Sequence, residues 1–396
     1  MTKAVLLLLC ATLLGAQTVD LNKIISYVRV HHPKYKAMEE ESLALNARIQ
    51  AEYAVPAASL SLGVTNAKPD QEKSGTEYSA GLSTLIDLAN TRGLELESAD
   101  LQNEAILLQK QKALFAFGNR LRDLYHQSCL DKKELEILQT VLAAFNRLYL
   151  KKQKAYKYHE VSKKELLQLK LEKKLLEQKV LAQKNAYAIS RESLLNLAAL
   201  PHQKESALEC HDLYPLTARI DIDNEPFILT NLAYEKEMES LDKKYRRYQK
   251  HFEPVEVSLN YDDEIDTRRV GAGVSIPLSF TSPRNEQSRI YLMHQKEMRK
   301  LDHHNWLLQN SAKVKELEAQ LENDYRQIVA LQENIATYQN QLMPLIEKSF
   351  QMGESSVIEY LMGRRKLLDI SSELIQTQKR YYHRLFSLYT LIETEK

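Results

Sequence analysis

A short stretch of this chain is repeated almost two hundred residues later. The sequence AGLSTLIDL occupies positions 80–88 and AGVSIPLSF occupies positions 272–280, an offset of 192. Three further landmarks recur in the same order at offsets of 193 to 198: HHPKY with NEPFI, VPAASLSLGV with EPVEVSLNY, and HEVSKKELL with GESSVIEYL. We therefore interpret the chain as a tandem duplication, with a first repeat at 17–200, a linker at 201–224 and a second repeat at 225–396.

The composition favours long elements. The chain has 396 residues but only 10 glycines and 10 prolines, and long tracts contain neither. Lys, Leu, Glu, Gln and Ala dominate these tracts, which is typical of long helices and coiled coils. Charged residues form 27% of the chain and balance to a net charge of +1, so the composition does not indicate nucleic-acid binding.

The first residues, MTKAVLLLLCATLLGAQTVD, combine one lysine, an apolar run over 4–14 and a small pair, Gly15–Ala16. This pattern predicts a secretory signal peptide over 1–16, because the run is too short to span a bilayer. Cys10 lies deep within the run behind Leu9, which fits a lipoprotein signal poorly. No other apolar run approaches the ~20 residues of a transmembrane helix. We therefore expect an exported, mostly helical protein.

Each repeat begins with a helical pattern. It covers about 20–54 in the first copy, where Pro33 predicts a break, and about 225–252 in the second. Two runs of alternating polar and apolar residues follow in each copy. They predict strands at about 58–66, 78–87, 255–262 and 269–279. Each repeat therefore carries one β-hairpin.

Long helical patterns occupy the rest of each repeat. They predict helices at about 92–157, 162–198, 284–352 and 356–394. At 1.5 Å per residue, roughly 65 residues make a helix of about 95 Å. A tight turn separates the two helices of each pair, and the returning helix carries heptad-like apolar spacing, so each repeat ends in a coiled-coil hairpin. Pro201 and Pro215 indicate that the linker forms loops packed around the helices.

The four predicted strands admit two interpretations. Each strand is rich in Ser, Gly and Ala and has one apolar and one polar face. The first interpretation is a half-buried sheet in a soluble domain. The second is a membrane barrel with its apolar face outward. Four strands cannot close such a barrel alone, because the smallest have about eight, so two, three or four copies of the chain would share it.

The order of helix, hairpin, long helix, turn and returning helix resembles the TolC-type outer-membrane efflux proteins over essentially the whole mature chain. The residues that carry the resemblance are His32-Pro33, the strand ends AGLSTLIDLANTR and AGVSIPLSFTSPR, and the G-E-x-S-x-x-E-x-L turn at 353–361. The resemblance implies a mainly α fold with a small β part, in which a homotrimer forms a twelve-stranded barrel in outer-membrane lipid and an α-helical periplasmic tunnel. It also implies a duct that docks on a periplasmic adaptor protein and an inner-membrane pump of the RND or ABC type.

The resemblance points to two functional regions. The first is the pair of turns at the periplasmic tip, which would form a gate and contact the adaptor: His159, Glu160, Ser162, Glu165, Gly353, Glu354, Ser355 and Glu359. The second is the strand-to-helix swivel: Asp87, Arg92, Pro277, Pro283 and Arg284. The two prolines of the swivel have no counterpart in the first repeat, and proline is favoured where strand pairing ends.

Glu165 and Glu359 match the acidic position of the family's two tip motifs. A ring of carboxylates at these positions would make the entrance cation-selective. The alternative is a carboxylate that is favoured simply because it lies near a helix start. The turns also depart from the family, because His159 stands where the second turn has Gly353, and Ser355 stands where some relatives have a gate-locking arginine. Any gate in this protein must therefore be held by other contacts than the arginine that locks the gate in those relatives.

The sequence contains no catalytic or cofactor motif. HEVSK at 159–163 begins like a zinc-protease motif but lacks the second histidine, and no phosphate-binding glycine loop, G-x-S-x-G or C-x-x-C occurs. We expect no enzyme activity, no cofactor and no metal site.

Histidines and cysteines give weaker signals. His126 and Cys129 lie one helical turn apart, but two ligands without a third are more often a coincidence than a metal site. The pairs His31–His32 and His303–His304 are expected at the surface. After cleavage of the signal peptide two cysteines remain, Cys129 and Cys210, and the sequence leaves open whether they pair.

We favour an outer-membrane exit duct of a tripartite efflux system, a passive trimeric channel. One alternative is the outer-membrane duct of a type I protein secretion system, and the sequence does not separate the two because specificity resides largely in the pump. The other is a non-channel periplasmic coiled-coil scaffold. A scaffold accounts for the long helices and the signal peptide, but it does not account for an amphipathic hairpin in each repeat.

Overall fold

A computed structural model of the chain describes residues 19–67, 74–200, 208–220, 226–250, 253–278 and 282–394. The predicted signal peptide and Pro201 lie outside the described residues. Within the described ranges, none of the helices combines the length and the apolar character that crossing a membrane requires.

Helices dominate both repeats, as the sequence predicts. The first repeat contains α1 (Leu21–His31), α2 (Pro33–Glu52), β1 (Ser59–Ala67), β2 (Gly75–Ile86), α3 (Thr91–Lys157) and α4 (Lys163–Leu197). The second contains α5 (Ile228–Tyr248), β3 (Val255–Asp263), β4 (Arg268–Ser275), α6 (Arg284–Thr337), α7 (Met343–Met352) and α8 (Val357–Leu391). The mainly α fold with a small β part is confirmed, and α3 alone has 67 residues.

The predicted break at Pro33 separates α1 from α2. His32 leaves the helical conformation, and its ring Nδ1 accepts a hydrogen bond from the backbone N–H of Lys34 at 3.1 Å. The same ring lies 4.7 Å from the ring of Phe117 on α3. Burial lowers the pKa of His32, which favours the neutral ring that this acceptor role needs. His32 is therefore a helix-capping residue packed on α3, and the prediction that it lies free at the surface is wrong.

A second proline interrupts the long helix predicted over 284–352. The α-helical pattern of α6 ends at Thr337, a π-helical turn covers Tyr338–Leu342, and α7 begins one residue before Pro344. Proline has no backbone N–H to donate and its ring crowds the carbonyl of the preceding turn. A wider turn just before the proline accommodates both effects without ending the helical path.

The four strands form one antiparallel sheet in the order β1-β2-β3-β4. One row of cross-strand neighbours contains Leu60, Leu82, Leu259 and Ala272, and the next row contains Ser61, Gly81, Asn260 and Gly271. Directly opposed side chains share a face and successive rows alternate between faces. The sheet therefore has one mainly apolar face and one mainly polar face, and the central rows of the polar face consist largely of small residues. Apolar side chains stay exposed on the first face, with Leu62 at 76% and Val270 at 82%.

Strand β4 is shorter than the sequence predicts. The apolar alternation continues to Leu278, but pairing with β3 ends at Ser275, opposite Glu256. Pro277 follows two residues later and cannot donate a ladder hydrogen bond. The predicted continuation of the strand over 276–278 is therefore wrong, because the alternation outlasts the hydrogen bonding, and the predicted end at 279 lies outside the described residues.

The chain forms two compact units, and each unit contains segments of both repeats. The first unit comprises Met1–Lys36, Ala113–Pro226 and Asn310–Lys396. The second comprises Ala37–Lys112 and Phe227–Gln309, and it includes the sheet. The duplicated sequence units are thus not the folded units, because segments from both copies build each one.

The core of the first unit gathers the start of the chain, α3, the end of α4 and the linker. Its largest fully buried side chains include Ile24, Leu121, Tyr125 and Leu194. The linker residues 208–220 contain no helix, and Leu208 forms an isolated parallel bridge with Val19. Cys210 of the linker forms a disulfide with Cys129 of α3, the pairing that the sequence left open.

His126 is buried beside the linker and is neutral in this environment. Its Nε2 accepts the backbone N–H of Tyr214 at 2.9 Å, so its Nδ1 carries the proton and donates to the carbonyl oxygen of Arg122 at 2.7 Å. The rings of Tyr214, Tyr382 and Phe386 pack around it. Burial is the main cause that lowers the pKa of His126 to about 4.

The buried His126 predicts that acid destabilises the protein. An unfolded histidine titrates near pH 6.5, so the neutral ring contributes its full stability above that pH, and the contribution is lost as the pH falls through about 4. Between pH 7 and pH 5 we expect a loss on the order of 2 kcal/mol from this group. The measurement is the midpoint of thermal unfolding of the detergent-purified protein at both pH values. His126→Gln should flatten this pH dependence, and an unaltered slope in His126→Gln would contradict the assignment.

Candidate functional site

The two turns at the predicted tip have the same backbone path although their residues differ. Both turns lie in the first unit. His159 lies two residues after the end of α3 with φ 61°, and Gly353 directly follows α7 with φ 78°, so each residue occupies the left-handed region. In each turn the next N–H donates back to the last helical turn, from Glu160 to Ala155 O at 3.1 Å and from Glu354 to Ser349 O at 2.9 Å. The histidine therefore stands at a position that glycine occupies without strain.

Each returning helix begins with a reciprocal capping box. The hydroxyl of Ser162 accepts the N–H of Glu165 at 3.2 Å, and the Glu165 carboxylate accepts the N–H of Ser162 at 3.2 Å. In the second turn Ser356 and Glu359 make the same pair of bonds at 3.2 and 2.9 Å. Both glutamates thus satisfy backbone donors at a helix start, which supports the capping interpretation of these carboxylates.

The capping residue of the second turn is one that the sequence analysis missed. Ser356, which aligns with Ser162 at the offset of 194, provides the cap, whereas the predicted tip residues include its neighbour Ser355. The hydroxyl of Ser355 is buried without a hydrogen-bond partner. The spacing S-x-x-E was present in both turns and was the signal that identifies the cap.

Side chains from both repeats pack beneath the turns. Val357 is 2% exposed and belongs to one apolar cluster with Leu138 and Phe145 of α3 and Leu169 of α4. Since α8 belongs to the second repeat and α3 and α4 belong to the first, this cluster joins the two helical hairpins at their ends. The turns therefore rest on a shared apolar base.

An ion pair joins the two returning helices close to the turns. A terminal guanidinium nitrogen of Arg365 on α8 lies 2.9 Å from each carboxylate oxygen of Glu172 on α4. The neighbouring Arg364 pairs with Glu347 of α7 and donates from Nε to the hydroxyl of Tyr360 at 3.1 Å. We call the Arg365–Glu172 pair the inter-repeat clamp. Sequence reasoning missed it, although two adjacent arginines four and five residues after Tyr360 gave a visible signal.

A groove runs beside the clamp between α4 and α8, with α3 as its floor. Its volume is about 500 Å³, and its lining includes Phe145, Leu176, Leu361 and Leu368 as well as both residues of the clamp. A second cavity of about 280 Å³ shares Lys179, Ala182 and Leu368 with the first. The groove is apolar along its floor and charged at its rim.

At the first strand-to-helix junction, Asp87 caps α3. Its carboxylate accepts the backbone N–H groups of Ala89, Thr91 and Arg92 at 3.3, 3.1 and 2.7 Å. Burial by itself would raise the pKa of Asp87, but these backbone hydrogen bonds outweigh it and lower the pKa. The Nε of Arg92 donates to the backbone oxygen of Tyr53 at the end of α2, so the predicted swivel residues Asp87 and Arg92 hold this junction together.

The second junction is built differently. Pro277 lies two residues after the end of β4, and the carbonyl of Pro283 accepts the N–H of Gln287 at 2.9 Å in the first turn of α6. Arg284 is the first residue of α6, and its N–H donates to the hydroxyl of Ser282 at 3.3 Å. A serine hydroxyl thus replaces the carboxylate that serves the first junction.

Arg247 links several elements near the strand ends and was missed by the sequence analysis. Its Nε contacts Glu95 of α3 at 2.6 Å, and its two terminal nitrogens bind the carboxylate of Glu253 at 3.1 and 2.9 Å. Although burial opposes the charged form, the two carboxylates raise the pKa of Arg247. Planar, two-pronged binding of this kind is specific to arginine.

The structure offers no support for a metal pair at His126 and Cys129. Both ring nitrogens of His126 are occupied by backbone groups, and Cys129 is in a disulfide. Across the described ranges no group of three or more histidine, cysteine or acidic side chains could hold a metal ion. His31 and His304 are exposed as predicted, but His303 is half-buried and stacks on Tyr234 at 3.9 Å, so the expectation of a surface residue is wrong there.

Comparisons with solved structures identify the class of fold. VceC, an outer-membrane protein of Vibrio cholerae, is 15% identical, with a TM-score of 0.74 over 94% of this chain and 95% of VceC. The CmeC outer-membrane channel of Campylobacter jejuni is 12% identical, with a TM-score of 0.75 over 94% of this chain and 85% of CmeC. The MtrE outer-membrane channel of Neisseria gonorrhoeae, in its open state, is 15% identical, with a TM-score of 0.72 over 94% of this chain and 88% of MtrE.

The chain therefore has the fold of outer-membrane channel proteins. The resemblance to TolC-type efflux proteins inferred from the sequence is confirmed at the level of this fold. No protein-family model and no curated protein sequence matches the chain.

The capping boxes predict different effects for two adjacent serines. Ser356→Ala removes the acceptor of the Glu359 N–H and should cost about 1 kcal/mol of stability. Ser355→Ala removes a hydroxyl that has no partner, so it should be neutral or slightly stabilising. The measurement is the thermal unfolding midpoint of each variant in detergent. Equal effects of the two substitutions would contradict the capping assignment.

Proposed function

We propose that this protein is an outer-membrane exit duct, a passive trimeric channel that carries the substrates of an efflux pump across the periplasm and the outer membrane. The observation that carries the proposal is the sheet: one face apolar and exposed, the other small and polar, and an unpaired edge at β1 and at β4. A soluble sheet would cover its apolar face with a core. In lipid the apolar face needs no cover, but every backbone group needs a partner.

Closure by copies of the same chain satisfies both needs. An edge strand leaves N–H and C=O groups without ladder partners, which lipid does not tolerate. If β1 of one chain pairs with β4 of the next, three chains supply twelve strands and no edge remains. The small polar residues then line the lumen, and Leu60, Leu62 and Val270 face the lipid. The shared fold with known outer-membrane channels supports this arrangement.

The tip is proposed to be the gate and the surface for a periplasmic adaptor protein. The groove between α4 and α8 has the apolar floor and charged rim that an amphipathic helical partner requires. The adaptor would connect the duct to an inner-membrane pump of the RND or ABC type. His159, Glu160, Gly353 and Glu354 are exposed in the two turns and form the surface that such a partner meets.

The first test is single-channel conductance in planar bilayers, with the oligomer mass measured in the same detergent. We expect a trimer with small currents. Glu165→Gln and Glu359→Gln should preserve the fold, because glutamine can also complete a capping box, while removing the charge. Reduced cation selectivity in these variants would support a carboxylate ring at the entrance, and unchanged selectivity would limit both glutamates to capping. A monomer or dimer without conductance would overturn the duct and favour the coiled-coil scaffold.

The inter-repeat clamp is proposed to restrain the gate. Glu172→Gln removes the charge that Arg365 binds and should increase the channel conductance several-fold by loosening α8 from α4. Because both side chains are partly exposed, the stability cost should stay below about 1 kcal/mol. The measurement is conductance, with the unfolding midpoint as a check on the fold.

Glu177→Gln is the matched control, since among the described residues Glu177 pairs with Lys173 of the same helix, at 3.6 Å, and not with α8. It should leave the conductance unchanged. If Glu172→Gln and Glu177→Gln conduct alike, the clamp has no part in gating.

A further inference from the structure

The linker is held in place by side chains rather than by secondary structure. Tyr125 donates to the carbonyl oxygen of Glu209, and Lys132 donates to that of Leu208 at 2.9 Å. Further along, the hydroxyl of Tyr382 donates to the carbonyl of Tyr214 at 2.6 Å. These donors lie on α3 and α8, so the linker connects helices of both repeats within the first unit. Each such bond contributes only modestly, because water would otherwise satisfy the same groups.

One covalent bond fixes the described part of the linker, residues 208–220, to α3. Cys210 is bonded to Cys129 of α3, and the two cysteines are 81 positions apart in the sequence. Around it, the carbonyl of Val19 accepts the N–H of Glu209 at 3.1 Å. The disulfide therefore lies where residues 208–210, Val19 and α3 meet.

Cys129 is inaccessible once the linker is in place. It is 2% exposed and lies in the apolar cluster that also contains Leu121, Tyr125, Leu194 and Leu208. Thiol–disulfide exchange needs a thiolate that can reach the attacked sulfur in line. In this packed arrangement Cys129 is closed off and Cys210 is half-buried, so an oxidised enzyme can contact the pair only from the Cys210 side, whereas the chain before packing offers both sulfurs.

We propose that the Cys129–Cys210 disulfide is a latch that is closed by a thiol–disulfide oxidoreductase before the linker packs onto α3. In this step the oxidoreductase's disulfide accepts two electrons and becomes a dithiol, while the two cysteine thiols lose their protons and form the new S–S bond through a mixed disulfide. The closed latch then holds 208–217 against α3 and α8. The partner is thus an oxidised dithiol enzyme of the compartment in which the exported chain folds, and the proposal does not depend on channel activity.

Hydrogen exchange of the linker tests whether the latch holds it. The N–H groups of Glu209, Tyr214 and Thr217 bond to Val19 O, His126 Nε2 and Tyr381 OH. In the full-length protein with Cys129→Ala and Cys210→Ala, we expect these amides to exchange at least about tenfold faster than in the oxidised protein. Exchange in α4 should not change. Tyr382→Phe, which removes one hydrogen bond but keeps the disulfide, should have the smaller effect.

Equal protection of the linker with and without the disulfide would overturn the latch. A larger effect of Tyr382→Phe than of the double alanine variant would do the same, because the hydrogen bonds alone would then hold the segment.

The order of events is tested with oxidised glutathione as the probe. A reduced, urea-unfolded chain should form the Cys129–Cys210 bond at least about tenfold faster than a chain refolded under reducing conditions, as followed by alkylation of free thiols and mass spectrometry. In the mature protein neither cysteine should react with iodoacetamide. Equal rates for folded and unfolded chains, or free thiols in the mature protein, would overturn the proposed order.

Discussion

The apolar rows across β1–β4 are the constraint on which the rest of the architecture depends. Leu60, Leu82 and Leu259 lie side by side on one face and remain exposed, while β1 and β4 each pair on one side only. In the single chain, the apolar face of the sheet is therefore not buried, and the outer backbone groups of the two edge strands have no ladder partners. Copies of the chain and a lipid environment complete both at once, which is why assembly and membrane insertion are linked in the proposed function.

The opposite face of the sheet is kept small by direct steric limits. A Cβ atom on Gly81 would come within 2.6 Å of the Ser61 hydroxyl and 2.8 Å of the Asn260 side-chain oxygen. Serine and glycine therefore alternate there because each leaves room for the other. The result is a polar surface with small side chains in its central rows, whereas larger side chains such as Leu85 and Arg269 lie toward its ends.

The two repeats preserve the ends of their helices more closely than the ends of their strands. Both tips combine a left-handed residue with an S-x-x-E capping box, although one uses His159 and the other Gly353. The strand ends instead use Asp87 in one copy and a proline-containing segment closed by Ser282 in the other. Backbone donors at a helix start must be satisfied in every copy, but more than one side chain can satisfy them.

Local features followed from the sequence because they depend on neighbouring residues. The duplication, the break at Pro33, the alternation of the four strands and the long helices are all set by spacing and by the chemistry of proline. The S-x-x-E caps belong to the same class, although the predicted tip residues omitted Ser356, which provides the second cap. The end of β4 lay beyond sequence reasoning, because apolar alternation continues past the last hydrogen bond at Ser275.

The sequence by itself thus determined the class of fold, the repeat and the amphipathic character of the strands. Only the tertiary structure decided which distant residues meet: Cys129 with Cys210, Arg365 with Glu172, and Arg247 with Glu95 and Glu253. It also decided that His126 is a buried partner of the linker backbone and that each folded unit draws on both repeats. The physical reason is the distance along the sequence over which each effect acts. Periodicity and turn chemistry depend on a few neighbouring residues. The contacts above join residues from six to 193 positions apart and depend on how whole helices pack.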